Sequence, residues 1–291
     1  MKDRRIAFEL LELYDWQGVE RRLERQAAKG WRLEKIVSPF WYYRRAKPAQ
    51  VRYAVTYLPN VGEATPRPDP EAQALDAVCT AAGWEKICDW NGMQIFSNEQ
   101  PDPLPLETDE RLRLQAIHQT LKRHWMGPMV IVAVCLFLML LFCWGWQESG
   151  PAQYIWRAML CCGVLYPVSE LGLYGLWYLR ARRAVERGEK CPSNHALTLI
   201  SNGFCAAVIA LFVLFLVVTL LEGPPGSGGR VVYMLLYMIG YMAIVWCISR
   251  LRIELRERGF SAAANWGLVI LLAFVLFFVL QMLLTQFVLY A

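Results

Sequence analysis

The sequence predicts an α+β domain over residues 1–100, a linker and connector helix over 101–125, and an all-α bundle of five transmembrane helices over 126–291. Three observations predict it. Residues 126–146 carry no charge and, at ~1.5 Å per helical residue, are just long enough to cross ~30 Å of hydrocarbon. Residues 1–125 are charged and aromatic, whereas residues 147–291 fall into membrane-length apolar runs whose connecting loops are alternately weakly charged and basic. Within the first part a pattern repeats: AAKGWRLEKI at 27–36 and TAAGWEKI at 80–87 both pass from a helix end through Gly-Trp into a strand.

The charge distribution sorts function classes. Residues 1–125 hold 19 Lys/Arg against 18 Asp/Glu, whereas residues 126–291 hold 11 against 7. The basic excess therefore lies in loops between apolar runs, where the positive-inside bias accounts for it. A nucleic-acid footprint would need a basic soluble half, so no nucleic-acid partner is expected. Residues 1–16 interrupt their apolar positions with Glu9, Glu12 and Asp15, leaving no signal-peptide core, so the N-terminus is expected in the cytoplasm. The 9 cysteines form no CxxC pair, which supports neither a zinc site nor a disulfide framework.

Along the first part, Ile6, Phe8 and Leu10 alternate as a strand, and Asp15 can cap a helix with the stripe Trp16, Val19, Leu23 and Ala27. Gly30 suits the position after that helix. Strands are predicted over 31–37 and 40–45, and the alternation of Val51, Tyr53, Val55 and Tyr57 gives a fourth. After a proline-rich loop over 58–70, a short helix over 71–82 ends at Gly83. Trp84 opens another strand, and Asn91-Gly92 turns it into a hairpin with 93–97. Each repeat therefore reads strand, helix, strand, strand, a duplication expected to place helices on one face of an antiparallel sheet as a ferredoxin-like relative. Thr108 is expected to cap the connector helix, whose stripe is Leu114, Ile117, Leu121 and Trp125.

The helix end at Lys29-Gly30-Trp31, the Trp41-Tyr42-Tyr43-Arg44 strand, the Tyr53 and Val55 strand, and the second Gly83-Trp84-Glu85 with its hairpin resemble a bacterial family catalogued as domain of unknown function 2812. The resemblance covers roughly residues 4–99. It implies membrane helices beside the domain and, because members are often encoded next to PadR-like regulators, membrane-linked sensing or stress response. It supplies no catalytic residue.

The spans are expected at about 126–146, 154–179, 196–221, 231–249 and 262–290. Arg180, Arg182, Arg183, Arg187 and Lys190 fill one intervening loop, and Arg250, Arg252, Arg256 and Arg258 another. This alternation predicts a multi-pass protein of the bacterial plasma membrane with a cytoplasmic N-terminus and an extracytoplasmic C-terminus.

Glu170 is the carboxyl residue deep within a span, ~14 Å from its cytoplasmic end. It is expected to face protein and to hydrogen-bond across helices, with Asn202 and Gln281 as polar candidates. Gly172 and Gly175 are expected to permit close helix approach. Trp41, Tyr43 and Trp90 are the candidate partner surface on the domain. No phosphate loop, nucleophile elbow or metal-ligand spacing occurs, so no catalytic residue, metal or cofactor is assigned and the chain is not read as an enzyme. The expected role is a membrane-associated sensor or interaction module whose domain binds a cytoplasmic protein partner. The alternative is a small transporter or channel component using Glu170. The homo-oligomeric state stays open.

Overall fold

The computed structural model describes residues 3–8, 13–37, 40–62, 64–144, 151–192, 195–222 and 227–290. The first repeat is β1 (Arg4–Phe8), α1 (Trp16–Ala28), β2 (Trp31–Val37) and β3 (Phe40–Arg45). The second is β4 (Arg52–Tyr57), α2 (Pro70–Ala81), β5 (Glu85–Trp90) and β6 (Met93–Asn98). Each repeat makes its own three-stranded antiparallel sheet, ordered β1-β3-β2 and β4-β6-β5. The duplication extends to defects in the ladders. A register shift falls between Leu33 and Lys35 in one sheet and between Lys86 and Cys88 in the other, in each case spanning the residue three places after the Gly-Trp tryptophan.

Local chemistry explains the element ends. The Asp15 carboxylate accepts from the Gly18 N–H and starts α1, and Asp69 does the same for α2 through Ala72 N–H. Gly30 and Gly83 take φ of +78° and +82° to leave those helices. Asn91 and Gly92, both at positive φ, make the two-residue turn between β5 and β6. One cap differs from expectation: Asp109, not Thr108, starts α3 (Glu110–Leu121), because its carboxylate reaches both Arg111 and Leu112 N–H groups.

The sheets do not merge into a single hydrogen-bonded one, and the helices do not share one face. Val55 on β4, an outer strand of its sheet, donates its N–H to the Glu20 carboxyl group at 2.9 Å, so a side chain of α1 stands where another strand would pair. α1 buries Val19, Leu23 and Ala27 against Leu33, Ile36, Trp41 and Tyr43 of the first sheet and Tyr53, Val55, Met93 and Ile95 of the second. α2 lies on the opposite face of the second sheet, where Cys79 packs with Trp84 and Phe96. Period-2 alternation along β4 and β6 makes this possible, since adjacent residues such as Ile95 and Phe96 serve different cores.

α3 continues through a π-helical turn, Lys122–Met126, into α4 (Gly127–Trp144). Four further helices come after it: α5 (Pro151–Glu186), α6 (His195–Glu222), α7 (Ser227–Glu257) and α8 (Ala262–Tyr290). Among the described residues three helices are long and apolar enough to cross a membrane, within Glu110–Phe142, Arg157–Glu186 and Ala262–Leu280, with a shorter apolar segment at Ala206–Val218.

Two compact units cut across the division at residues 100 and 125. One comprises Met1–Glu63, Pro68–Val132 and Tyr166–Gly203, and the other Ala64–Arg67, Ala133–Leu165 and Phe204–Ala291. The physical reason lies in the main core, which includes Leu114, Ile117 and Leu121 of α3 and Tyr174, Trp177, Ala181 and Val185 of α5. Within the second unit, α7 and α8 pack together, with Gly240 against Leu280. Arg252 lies over the Trp266 ring at 4.6 Å, and Asn265 Nδ2 donates to the Arg252 carbonyl. Thr65 and Arg67 engage the end of α7: Arg256 Nε donates to Thr65 O, and Arg67 N–H donates to Arg256 O, both at 3.1 Å.

Candidate functional site

The residues that concentrate chemistry lie in the first unit, where the end of α5 meets the α+β domain. Tyr174, Trp177, Ala181 and Val185 recur at steps of three and four, so one stripe of the helix turns toward the core. Tyr14, immediately before α1, meets Trp177 at 5.1 Å and Tyr174 at 5.2 Å between ring centroids. Trp125 stands edge-on to both Tyr14 and Tyr174. His118 stacks on Tyr178 at 4.4 Å, and its Nδ1 lies 2.9 Å from the Tyr174 hydroxyl. Such rings combine apolar burial with polar tips that need partners.

Polar contacts pin the chain beyond α5 to the same place. Trp177 Nε1 donates to Pro192 O at 3.0 Å, Gln17 Nε2 donates to Cys191 O at 3.2 Å, and Cys191 N–H donates to the Glu110 carboxylate at 3.1 Å. Glu110 and Glu107 both pair with Arg113, at 3.0 and 2.8 Å, and the Arg113 guanidinium covers the Trp16 ring at 4.3 Å. Glu107 also accepts from the Thr56 hydroxyl. These charges are mostly buried, where a hydrogen-bonded pair resists screening and removal of one partner is costly.

Burial raises the Glu20 carboxyl to about 8, against the lowering effects of the Val55 N–H and of Arg113. Burial, followed by its hydrogen bond to Glu110, pushes the Cys191 thiol up to about 12, which makes it a poor nucleophile near neutrality. Tyr57 is also raised by burial and donates its hydroxyl to Leu13 O at 2.8 Å. Among the described residues no group of three His, Cys, Asp or Glu side chains could hold a metal ion. The junction thus joins the folded domain to the end of α5 by both packing and buried polar contacts.

The sequence-assigned residues fall elsewhere. Trp41 and Tyr43 are each 1% exposed and form core, so they offer no partner surface; their neighbours Phe40 and Tyr42 point outward, the other phase of the strand. Trp90 is half-buried and meets Trp41 edge-on at 6.1 Å. Glu170 is 1% exposed. The Asn202 and Gln281 side chains lie outside the described ones. Among the described residues nothing lies within 4 Å of a Cβ on Gly172 or Gly175, so neither marks a close helix crossing there.

Comparison with known proteins bears on the same segment. Residues 15–130 match the family model described as "Protein of unknown function (DUF2812)". The match begins at Asp15, the cap of α1, and ends inside α4, so it takes in most of the domain, the connector and the start of the first apolar run. No curated protein and no solved structure matches the chain. The family match does not include α5, whose packing stripe of Tyr174, Trp177, Ala181 and Val185 has helical spacing but is split in the sequence between the end of an apolar run and the basic segment that begins at Arg180.

Proposed function

We propose that the chain is a multi-pass membrane protein in which the N-terminal α+β domain acts as a cytoplasmic sensor or interaction module and passes its state to the bilayer through α5. The supporting observation is the shared core: Tyr174, Trp177, Ala181 and Val185 are buried together with Val19, Leu23 and Tyr57. A change in the domain that shifts this packing must move α5 or break the contact, because close-packed interiors do not deform continuously. Five spans, with the basic segments 180–190 and 250–258 in the cytoplasm, agree with the charge pattern. Reporter fusions at Gly226 and Ala291 test that orientation, and cytoplasmic-type activity at both would exclude it.

Coupling is tested by overpacking. Ala181 is fully buried, so Ala181→Phe in the full chain should raise amide exchange across Trp16–Ala28 as well as across α5. Exchange raised in α5 alone would remove the reading. The burial of Glu170 favours a second reading, a small transporter or channel component, because an intramembrane acid is costly to keep without a role. A solute flux in proteoliposomes that Glu170→Gln abolishes would favour that alternative.

A further inference from the structure

The outer face of the first sheet carries apolar and cationic side chains in a graded order. Ile6 and Phe8 of β1 are each 59% exposed, and Phe8 meets Phe40 edge-on at 5.9 Å. The register pairs Phe8 with Phe40, Ile6 with Tyr42 and Arg4 with Arg44, while Lys35 of β2 pairs with Tyr42 and holds its Nζ 5.3 Å from that ring. Reading back from the Phe8 and Phe40 end, the face is therefore aromatic, then aliphatic and tyrosyl with one lysine, then arginine. At ~3.3 Å per residue, Lys35 stands ~7 Å and the Arg4 and Arg44 pair ~13 Å behind the tip. Strands β1 to β3 contain Arg4, Arg5, Arg32, Lys35, Arg44 and Arg45 against the single acid Glu34. Strands β4 to β6 contain Arg52 and Lys86 against Glu85 and Asp89.

The aromatic tip lies at the end of the domain from which the first apolar helix departs. Trp41, next to Phe40, meets Trp90, which leads into the Asn91-Gly92 turn. Gly92 O accepts from Leu58 N–H, and a Cβ on Gly92 would meet Thr120 of α3 at 2.8 Å. The loop after Leu58 touches the π-helical turn: Pro59 O lies 3.0 Å from His124 Nε2, and Asn60 pairs with Arg123. Just beyond His124 the chain enters the uncharged run of α4.

We propose that this face docks on an anionic bilayer leaflet, with Phe8, Phe40 and Ile6 entering the boundary between headgroups and acyl chains and Lys35, Arg4 and Arg44 lying at the phosphates. An apolar edge entering ~5–10 Å with cations behind it is the arrangement that binds interfaces. A second copy of the chain fits poorly, since the face's Arg4, Arg32, Lys35 and Arg44 would oppose the same four cations. The inference rests on the membrane reading above, and the experiment separates the two.

The test places p-benzoylphenylalanine at position 8 of the full chain in nanodiscs of phosphatidylcholine with or without phosphatidylglycerol. Irradiation is followed by mass spectrometry of the adducts. A second protein carries the label at position 78 of α2, where Val78 is somewhat more open, at 68%, but lies near the opposite, Gly83 end of β5. The expected result is lipid adducts at position 8 that increase with phosphatidylglycerol and exceed those at 78. Lys35→Ala should cut the anionic-lipid yield roughly fivefold. Adducts to a second chain, adducts within the chain only, or equal lipid yields at 8 and 78 would overturn the inference. Release of the chain from membranes by alkaline carbonate would instead overturn the membrane reading itself.

Discussion

The two repeats share a topology, a bulge position and a Gly-Trp turn, yet they use their surfaces differently. The helix of the first, α1, is central: it buries three side chains against both sheets and lends Glu20 to the edge of β4. The helix of the second, α2, buries Cys79 and covers a satellite core. The outer face of the first sheet exposes Ile6 and Phe8 and carries Arg4, Arg32, Lys35 and Arg44, whereas α2 lies over one face of the second sheet, whose strands are charge-balanced. Duplication of backbone order thus does not duplicate energetics. Once one helix occupies the interior between two sheets, its twin is left at the periphery, and the faces that remain are free to diverge.

The sharpest way to break this contrast is to truncate one apolar side chain on each helix, buried Leu23 in α1 and exposed Val78 in α2. Leu23→Ala in α1 should cost ~2–5 kcal/mol because it empties a fully packed site. Val78→Ala in α2 should stay within about 0.5 kcal/mol. Thermal unfolding of the full chain in detergent, read by amide exchange in residues 13–62, checks both. Similar losses would show that α2 is as central as α1.

Glu20 supplies the next effect. Its folded carboxyl titrates near 8 against 4.5 when unperturbed, so the folded state holds a proton that the unfolded chain has released in between. Stability from this site is complete below about 4.5 and is lost as pH rises through about 8. The loss is on the order of 1–4 kcal/mol. Glu20→Gln keeps an acceptor for Val55 N–H and should flatten the slope across that window. An unchanged slope in the variant would assign the titration elsewhere.

The Gly-Trp turns give a smaller, paired comparison. Both glycines have positive φ, but a Cβ on Gly30 would meet the Ala46 carbonyl at 2.8 Å, whereas on Gly83 its nearest neighbour is the Asn98 side chain at 3.4 Å. Gly30→Ala should therefore cost roughly 2–3 kcal/mol and Gly83→Ala roughly 1 kcal/mol, the latter being the backbone strain alone. Denaturant midpoints of the two variants decide it, and a larger loss at Gly83 would reverse the ranking. The smallest effect belongs to Arg4 and Glu34, an exposed pair at 3.5 Å. Glu34→Gln should change stability by less than about 0.5 kcal/mol while making the outer face more cationic.

Residue order alone determined the element sequence of both repeats, because the Gly-Trp exits, the Asp15 cap and the Asn91-Gly92 turn are local devices whose partners lie within a few residues. It also determined that apolar helices long enough for a membrane follow the domain, a matter of composition and rise per residue, although three rather than five reach that length among the described residues. Phase along a strand was less secure. Trp41 and Tyr43 looked as available as Phe40 and Tyr42 in FWYYRR, and only the packing of α1 decided which pair points inward. The cap of α3 passed from Thr108 to Asp109 because two N–H groups converge on the latter. Tertiary structure alone decided that the strands close into two sheets, that α5 belongs to the domain core, and that Glu20, Glu107, Glu110 and Arg113 meet. Those outcomes depend on contacts between residues up to 174 positions apart, as between Gln17 and Cys191, and no periodicity within a window of sequence encodes which distant surface a stripe will meet.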